Sequence, residues 1–305
     1  MRLRPALVVA GVAVGWGTIG VIVRQLDLPA VAIVASRLWI GALTLGLVLA
    51  LRRGAGRGAP VDRAGRTRTV LCGLVLAGHW VALVAALQQA PIGVVLLVTY
   101  LAPVGVAVLA PRTLGEVVEP VTVAALALAV VGVALVAWPS LGTPDAEGLV
   151  LAGVAGALLV FLLLVNKPLA VAYSALPLAF TQFLVAGAAL VPVAAFAGWG
   201  SPRLAWLWLV VLGVVHTALA DVLFLGALAR MPASRAGVLL YLEPASAVAF
   251  GWLLLGEVPE PAMVAGGVLI VLAGVLVART AAPAEARVDA GLAGRPEVEV
   301  AGVPR

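Results

Sequence analysis

Of 305 residues, 64% are hydrophobic, a further 34 are glycine, and only 11% carry a formal charge. Soluble domains carry about 25% charged residues and about 45–50% apolar ones with glycine counted in, so an ordinary water-soluble globule is excluded and lipid is the expected main solvent. The single cysteine, Cys72, rules out an intrachain disulfide and a cysteine-based metal cluster, and neither a metal nor a cofactor is expected.

Apolar runs separated by charges and by Pro/Gly punctuation predict an all-α integral membrane protein with ten transmembrane helices. In chain order they fall at about 5–23, 30–51, 69–89, 92–110, 120–138, 147–165, 175–197, 204–229, 235–255 and 261–279. The first is longer than the roughly 7–15 apolar residues of a signal-peptide core and reads as a retained helix. The Arg/Gly-rich stretch 52–68 reads as a solvated loop near anionic head groups. Residues 280–305, rich in Ala, Pro, Gly and Glu without apolar periodicity, read as a disordered cytoplasmic tail.

The net charge of +5 and isoelectric point near 10.3 invite a nucleic-acid reading until the positions are examined. Alternating the spans across a membrane puts Arg2, Arg4, Arg52, Arg53, Arg57, Arg63, Arg66, Arg68, Arg112, Lys167, Arg230, Arg235 and the basic residues of the tail on one side, against Arg24 and Arg203 on the other. That bias orients membrane proteins with the basic side inward. Both termini are therefore expected in the cytoplasm of a multi-pass plasma-membrane protein, with no nucleic-acid partner.

Laid over itself with a shift of 141, the chain repeats. Tyr100, Leu101 and Pro103 fall on Tyr241, Leu242 and Pro244; Leu114, Gly115 and Glu116 on Leu255, Gly256 and Glu257; Glu119 and Pro120 on Glu260 and Pro261. Residues 1–139 and 140–279 then form two repeats of five helices each. An odd number forces the second copy to enter the membrane upside down, the arrangement that supports alternating access to a site between the halves.

The Tyr-Leu-Ala-Pro and Tyr-Leu-Glu-Pro segments, each followed by Leu-Gly-Glu, resemble the EamA-type transporters of the drug/metabolite transporter superfamily. The resemblance implies ten helices in two inverted five-helix repeats around a central cavity. It also implies movement of small metabolites across the bilayer, in several members by export of amino acids.

Within the spans, costly residues are few. Arg37, Asp221 and Glu243 lie well inside their helices, and His79 and His216 near mid-span; a charge at the bilayer centre costs about 2.5–3.5 kcal/mol on insertion scales, so such groups face a cavity or a partner. Arg37 either anchors a substrate carboxylate, snorkels or pairs with Asp221. Asp221 follows Thr217 by one helical turn, which allows a local hydrogen bond, and either histidine serves as a proton carrier or as a neutral core residue. Trp16, Tyr100 and Tyr241 either line an amphipathic pocket or pack. Pro103 and Pro244 are expected to kink their helices and free the carbonyls of Thr99 and Leu240. Glu243 is the leading coupling or amine-binding residue, because the repeat places Ala102 at the matching position; the alternative is a structural bond to Tyr100, His216 or Arg37.

The expected function is a secondary transporter, an exporter of small metabolites, with protons as candidate coupling ions; homodimer formation stays open. The rival classes are an intramembrane enzyme, a channel or a scaffold. No GxSxG, HExxH or GxxxxGK[ST] motif is present to support catalysis or direct nucleotide coupling.

Overall fold

The computed structural model describes residues 4–52, 62–140, 146–198 and 203–280. Its membrane-length helices are α1 (Pro5–Arg24), α2 (Ala30–Leu51), α3 (Arg63–Gln89), α4 (Ile92–Thr113), α5 (Pro120–Ala137), α6 (Ala146–Ala172), α7 (Ala175–Ala194), α8 (Ala205–Leu228), α9 (Ala233–Leu255) and α10 (Pro261–Arg279). There is no strand among the described residues. The predicted tail, beyond Thr280, and residues 53–61 of the predicted loop lie outside the described residues.

Two helices outrun their apolar stretches. α3 begins at Arg63 rather than near residue 69 because Asp62 caps it, accepting from the Gly65 amide at 2.8 Å. α6 continues past Asn166 and Lys167 to Ala172, and Tyr173 then donates its hydroxyl to Asp62 at 2.7 Å. The Tyr173 hydroxyl and the Gly65 amide hold the Asp62 carboxyl below its usual range. Polar end turns extend a helix beyond the apolar run that predicts it, since backbone bonding does not stop where hydropathy does.

Four spans are interrupted. α1 breaks at Gly17–Thr18, α4 at Tyr100–Leu101 and α9 at Tyr241. Pro103 and Pro244 each sit in the first turn of the segment after the break, where a missing N–H removes no helical hydrogen bond. In α8 the residues Leu212–Leu219 are π-helical, a local widening that often accompanies function.

Helix pairing follows a regular scheme. α5 packs on α10, α2 on α7 and α4 on α9; α3 on α6 matches α1 on α8, α3 on α7 matches α2 on α8, and α4 on α6 matches α1 on α9. Replacing every helix by the one five places away leaves this set unchanged. The three self-matched pairs run antiparallel. Gly46 faces Phe180 whereas Trp39 faces Gly187, and Tyr100 meets Tyr241 whereas Pro103 meets Gly237. In the α5–α10 pair, a Cβ on Gly132 would lie 2.7 Å from the Gly266 carbonyl oxygen, and one on Gly266 would lie 2.9 Å from the Val136 nitrogen. Small residues thus bring the α5 and α10 backbones into direct contact. Other helical glycines do not mediate such approaches: a Cβ on Gly11, Gly15 or Gly267 would meet nothing within 4 Å.

The two Leu-Gly-Glu segments close their helices alike. Gly115 and Gly256 are left-handed, with φ of 66° and 71°, and the next amides reach back to Ala110 at 3.4 Å and Gly251 at 3.3 Å. This is the six-residue loop of a glycine C-cap.

Candidate functional site

The pairing leaves α5 and α10 at the periphery, and a cavity of about 90 Å³ opens among the other eight helices. One water needs about 10–15 Å³ on this measure, so several waters or a small solute fit. Its wall is mostly Leu, Phe and Trp, with Arg37, His79, Thr99, Tyr100, Asn166, Gln182, Asp221 and Glu243 as the polar interruptions. Six of the residues expected from the sequence therefore meet here: Trp16, Arg37, His79, Tyr100, Asp221 and Glu243. His216 and Tyr241 stand behind the wall rather than on it, as do Pro103 and Pro244.

Arg37 does not snorkel, being only 3% exposed. Its Nε donates to Thr217 Oγ1 at 2.9 Å, its Nη2 reaches the His216 carbonyl at 3.5 Å, and its guanidinium lies 3.9 Å over the Trp80 ring. Such a cation–π contact contributes about 0.5–2 kcal/mol. Both Thr217 and His216 belong to the π-helical stretch, and Trp16 Nε1 also donates to the His216 carbonyl at 3.0 Å. Thr217 Oγ1 is engaged by Arg37, and Asp221 Oδ2 has no hydrogen-bond partner among the described residues, so the bond expected between Thr217 and Asp221 is not made to that oxygen. Arg37 makes no ion pair with Asp221 or Glu243; ion pairs form instead at Arg24–Glu257 and Arg235–Glu119.

Glu243 accepts from the Tyr100 hydroxyl, and Tyr241 donates to the Tyr100 carbonyl at 2.5 Å. The two repeat-related tyrosines, with ring centroids 5.6 Å apart, join the breaks in α4 and α9. Ser246 turns away from the carboxylate and bonds the Glu243 carbonyl at 2.9 Å. His79 Nδ1 lies 2.8 Å from the Ala155 carbonyl, which can only accept, so Nδ1 carries the proton and Nε2 is the second ring nitrogen to be used. His216 Nδ1 faces the Val211 carbonyl at 3.2 Å and its Nε2 the Thr18 hydroxyl at 2.7 Å.

Three wall residues escape the sequence reading. Gln182 Nε2 donates to Asn166 Oδ1 at 2.6 Å, and Trp80 carries Arg37. Asn166 lies just beyond the predicted end of its span. Gln182 was visible as a lone amide in an apolar run, the signal that marks a cavity or a partner.

The sequence matches the EamA-like transporter family over residues 3–138 and again over 146–279. The chain belongs to this family. An uncharacterized transporter of Archaeoglobus fulgidus is 33% identical over 282 residues, 91% of this chain and 97% of that one. The transporter YxxF of Bacillus subtilis strain 168, also uncharacterized, is 24% identical over 84% of this chain and 83% of its own. A solved crystal structure, 21% identical, superposes with a TM-score of 0.74 over 90% of this chain and 98% of its own, which shows a shared fold. Ten apolar helices and this family make the protein a multi-pass membrane transporter.

In this EamA-like transporter, polar side chains also bond at the two ends of the helix bundle. At the end near Lys167, Glu116 accepts from the Ala233 amide at 2.9 Å and the Ser234 amide at 3.5 Å, Glu119 pairs with Arg235, and Lys167 donates to the carbonyls of Leu228 and Met231 at 2.9 Å and of Ala229 at 3.4 Å. These bonds satisfy the free backbone groups where α8 ends and α9 begins. At the opposite end Glu257, the repeat counterpart of Glu116, pairs with Arg24 at 3.3 Å, both side chains half exposed. An exposed pair contributes about 0–1 kcal/mol, so the Lys167 end is the more firmly bonded.

Proposed function

We propose that this protein is an alternating-access secondary transporter that exports small zwitterionic metabolites, amino acids among them, across the plasma membrane. The observation that carries the reading is the cavity wall: a buried cation, Arg37, and two carboxylates, Asp221 and Glu243, share one small space without pairing. Unpaired ions are expensive in a low-dielectric setting, and a cargo carrying both charges completes them. Arg37 takes the cargo carboxylate. The wall holds one more acid than base, which a proton balances when the cavity is empty, and Glu243 is the proton-coupling group.

Residues 1–139 and 140–279 act as inverted repeats; the exchange-invariant pairing and the antiparallel α2–α7, α4–α9 and α5–α10 contacts support this. Both termini and the Lys167 end face the cytoplasm. The Glu116, Glu119, Lys167 and Arg235 cluster is the cytoplasmic gate, and Arg24–Glu257 the weaker outer one. Proteoliposome counterflow tests the carrier reading: an amino acid trapped inside should accelerate entry of labelled amino acid above the equilibrium level, and a panel of zwitterions giving no acceleration excludes it.

A further inference from the structure

One oxygen on the cavity wall has no partner in the protein. Asp221, just beyond the π-helical stretch of α8, lines the cavity, and its Oδ2 is buried with no hydrogen-bond partner. Glu243, the other acid, is already engaged by the Tyr100 hydroxyl. Thr217, the residue placed to satisfy Asp221 in an ordinary helix, is turned toward Arg37. An unmet charged acceptor away from water is a costly arrangement, and it is tolerable where a ligand supplies the missing donor.

We propose that Asp221, and not Glu243, is the residue that receives the ammonium of the cargo. This rests on the carrier reading above and divides labour within it: amine recognition and proton exchange lie on different carboxylates. The charged and titratable groups around the pair are Arg37 on α2, His79 on α3, Tyr100 on α4, His216 on α8 and Glu243 on α9. Of these only Arg37 is a fixed cation, and it is held by Thr217 and Trp80 rather than by either acid. An ammonium at Asp221 and a carboxylate at Arg37 therefore enter without breaking an existing ion pair. Glu243, tied through Tyr100 to the α4–α9 seam, is placed to sense the relative position of the halves instead.

The test compares each zwitterion with its deaminated acid: L-alanine with propionate, L-leucine with 4-methylpentanoate, L-phenylalanine with 3-phenylpropanoate. Binding is read on the purified full chain by intrinsic fluorescence, since Trp16 and Trp80 line the cavity, and flux by counterflow of the same compounds. The parent should prefer the zwitterion by about tenfold or more, the scale of one charge-assisted hydrogen bond. Asp221→Asn should remove most of that preference while leaving affinity for the deaminated acid equal or higher, and Glu243→Gln should keep the parent ratio. Asp221→Glu, which retains the charge, should weaken zwitterion binding yet keep the preference, and it serves if the Asn variant fails to fold. A parent without preference, an unchanged ratio in Asp221→Asn or a lost one in Asp221→Glu overturns the assignment. A ratio lost in Glu243→Gln alone also overturns it. If the carrier reading itself is wrong, the sign is different: binding responds to the substitutions but no compound shows counterflow.

Discussion

Neutralising Glu119 should open the gate near Lys167. In Glu119→Gln the Arg235 side chain, only 4% exposed, loses its counter-ion, while the position of Glu119, 46% exposed, stays wetted. Breaking a fully buried pair costs about 3–5 kcal/mol; water at the Glu119 end screens the interaction and reduces this to about 1–2 kcal/mol. If the closed state alone loses that amount, the open population rises roughly 5–30-fold. Thr99 lines the cavity and differs from cysteine by little volume, so Thr99→Cys in a Cys72→Ser background reports opening through its reaction with an impermeant methanethiosulfonate. When opening is faster than reaction, the labelling rate follows the open population. The rate should rise about 5–30-fold with reagent on the Lys167 side and fall or stay level with reagent on the Arg24 side. Adding Arg235→Gln should increase it by less than the sum of the single effects, because both changes remove one pair. A rate within about twofold of the parent on the Lys167 side, or a rise on the Arg24 side, refutes the assignment of the gate.

Three further outcomes are expected. Glu243→Gln, which keeps shape and hydrogen bonding but cannot exchange a proton, should abolish the pH dependence of efflux while leaving exchange between identical solutes measurable; a pH profile matching the parent ends the coupling proposal. Pro103→Ala and Pro244→Ala should lower turnover more than membrane insertion, because insertion follows summed hydropathy whereas the chain breaks beside these prolines shape the cavity; equal losses of protein level and flux would confine the prolines to folding. With Cys72 removed, a cysteine at Asp145 should label from outside intact cells and one at Arg57 should not, and the reverse pattern would invert the proposed topology.

The helices were legible because the bilayer imposes a length and an apolarity that no other setting requires. Their ends were less so: Asp62 as a cap and the run through Lys167 to Ala172 are polar features that a hydropathy window discards. The internal match at a shift of 141 was carried by its least replaceable residues. Gly115 and Gly256 are held by left-handed backbone conformations that penalise any side chain, and that backbone demand is written into the sequence. Much of the cavity wall was legible for the opposite reason: Arg37, Asp221, Glu243 and His79 stand out because lipid makes them expensive. What stayed hidden was orientation. The π-helical turn of α8 carries no motif, and neither the bond from Arg37 to Thr217 within it nor the unmet Asp221 oxygen just beyond it is written in the sequence.

In the proposed transport cycle the two ends close with unequal strength. Glu116 and Glu257 occupy one position in the repeat and begin one kind of loop, but Glu116 caps α9 whereas Glu257 meets Arg24 at a wetted surface. A chain with identical closures would have two states of equal energy and no preferred resting form. Here Lys167, Glu119 and Arg235 add to one closure only: Glu119 bonds Arg235 across the two halves, while Lys167 ties the end of α8 within the second. The close-packed α5–α10 pair, lined by Gly132 and Gly266, stands outside the cavity. In the proposed transport cycle, cargo binding at Arg37 and Asp221 needs to exceed only the difference between the two closures, a scale set by side chains at the rim rather than by the helices themselves.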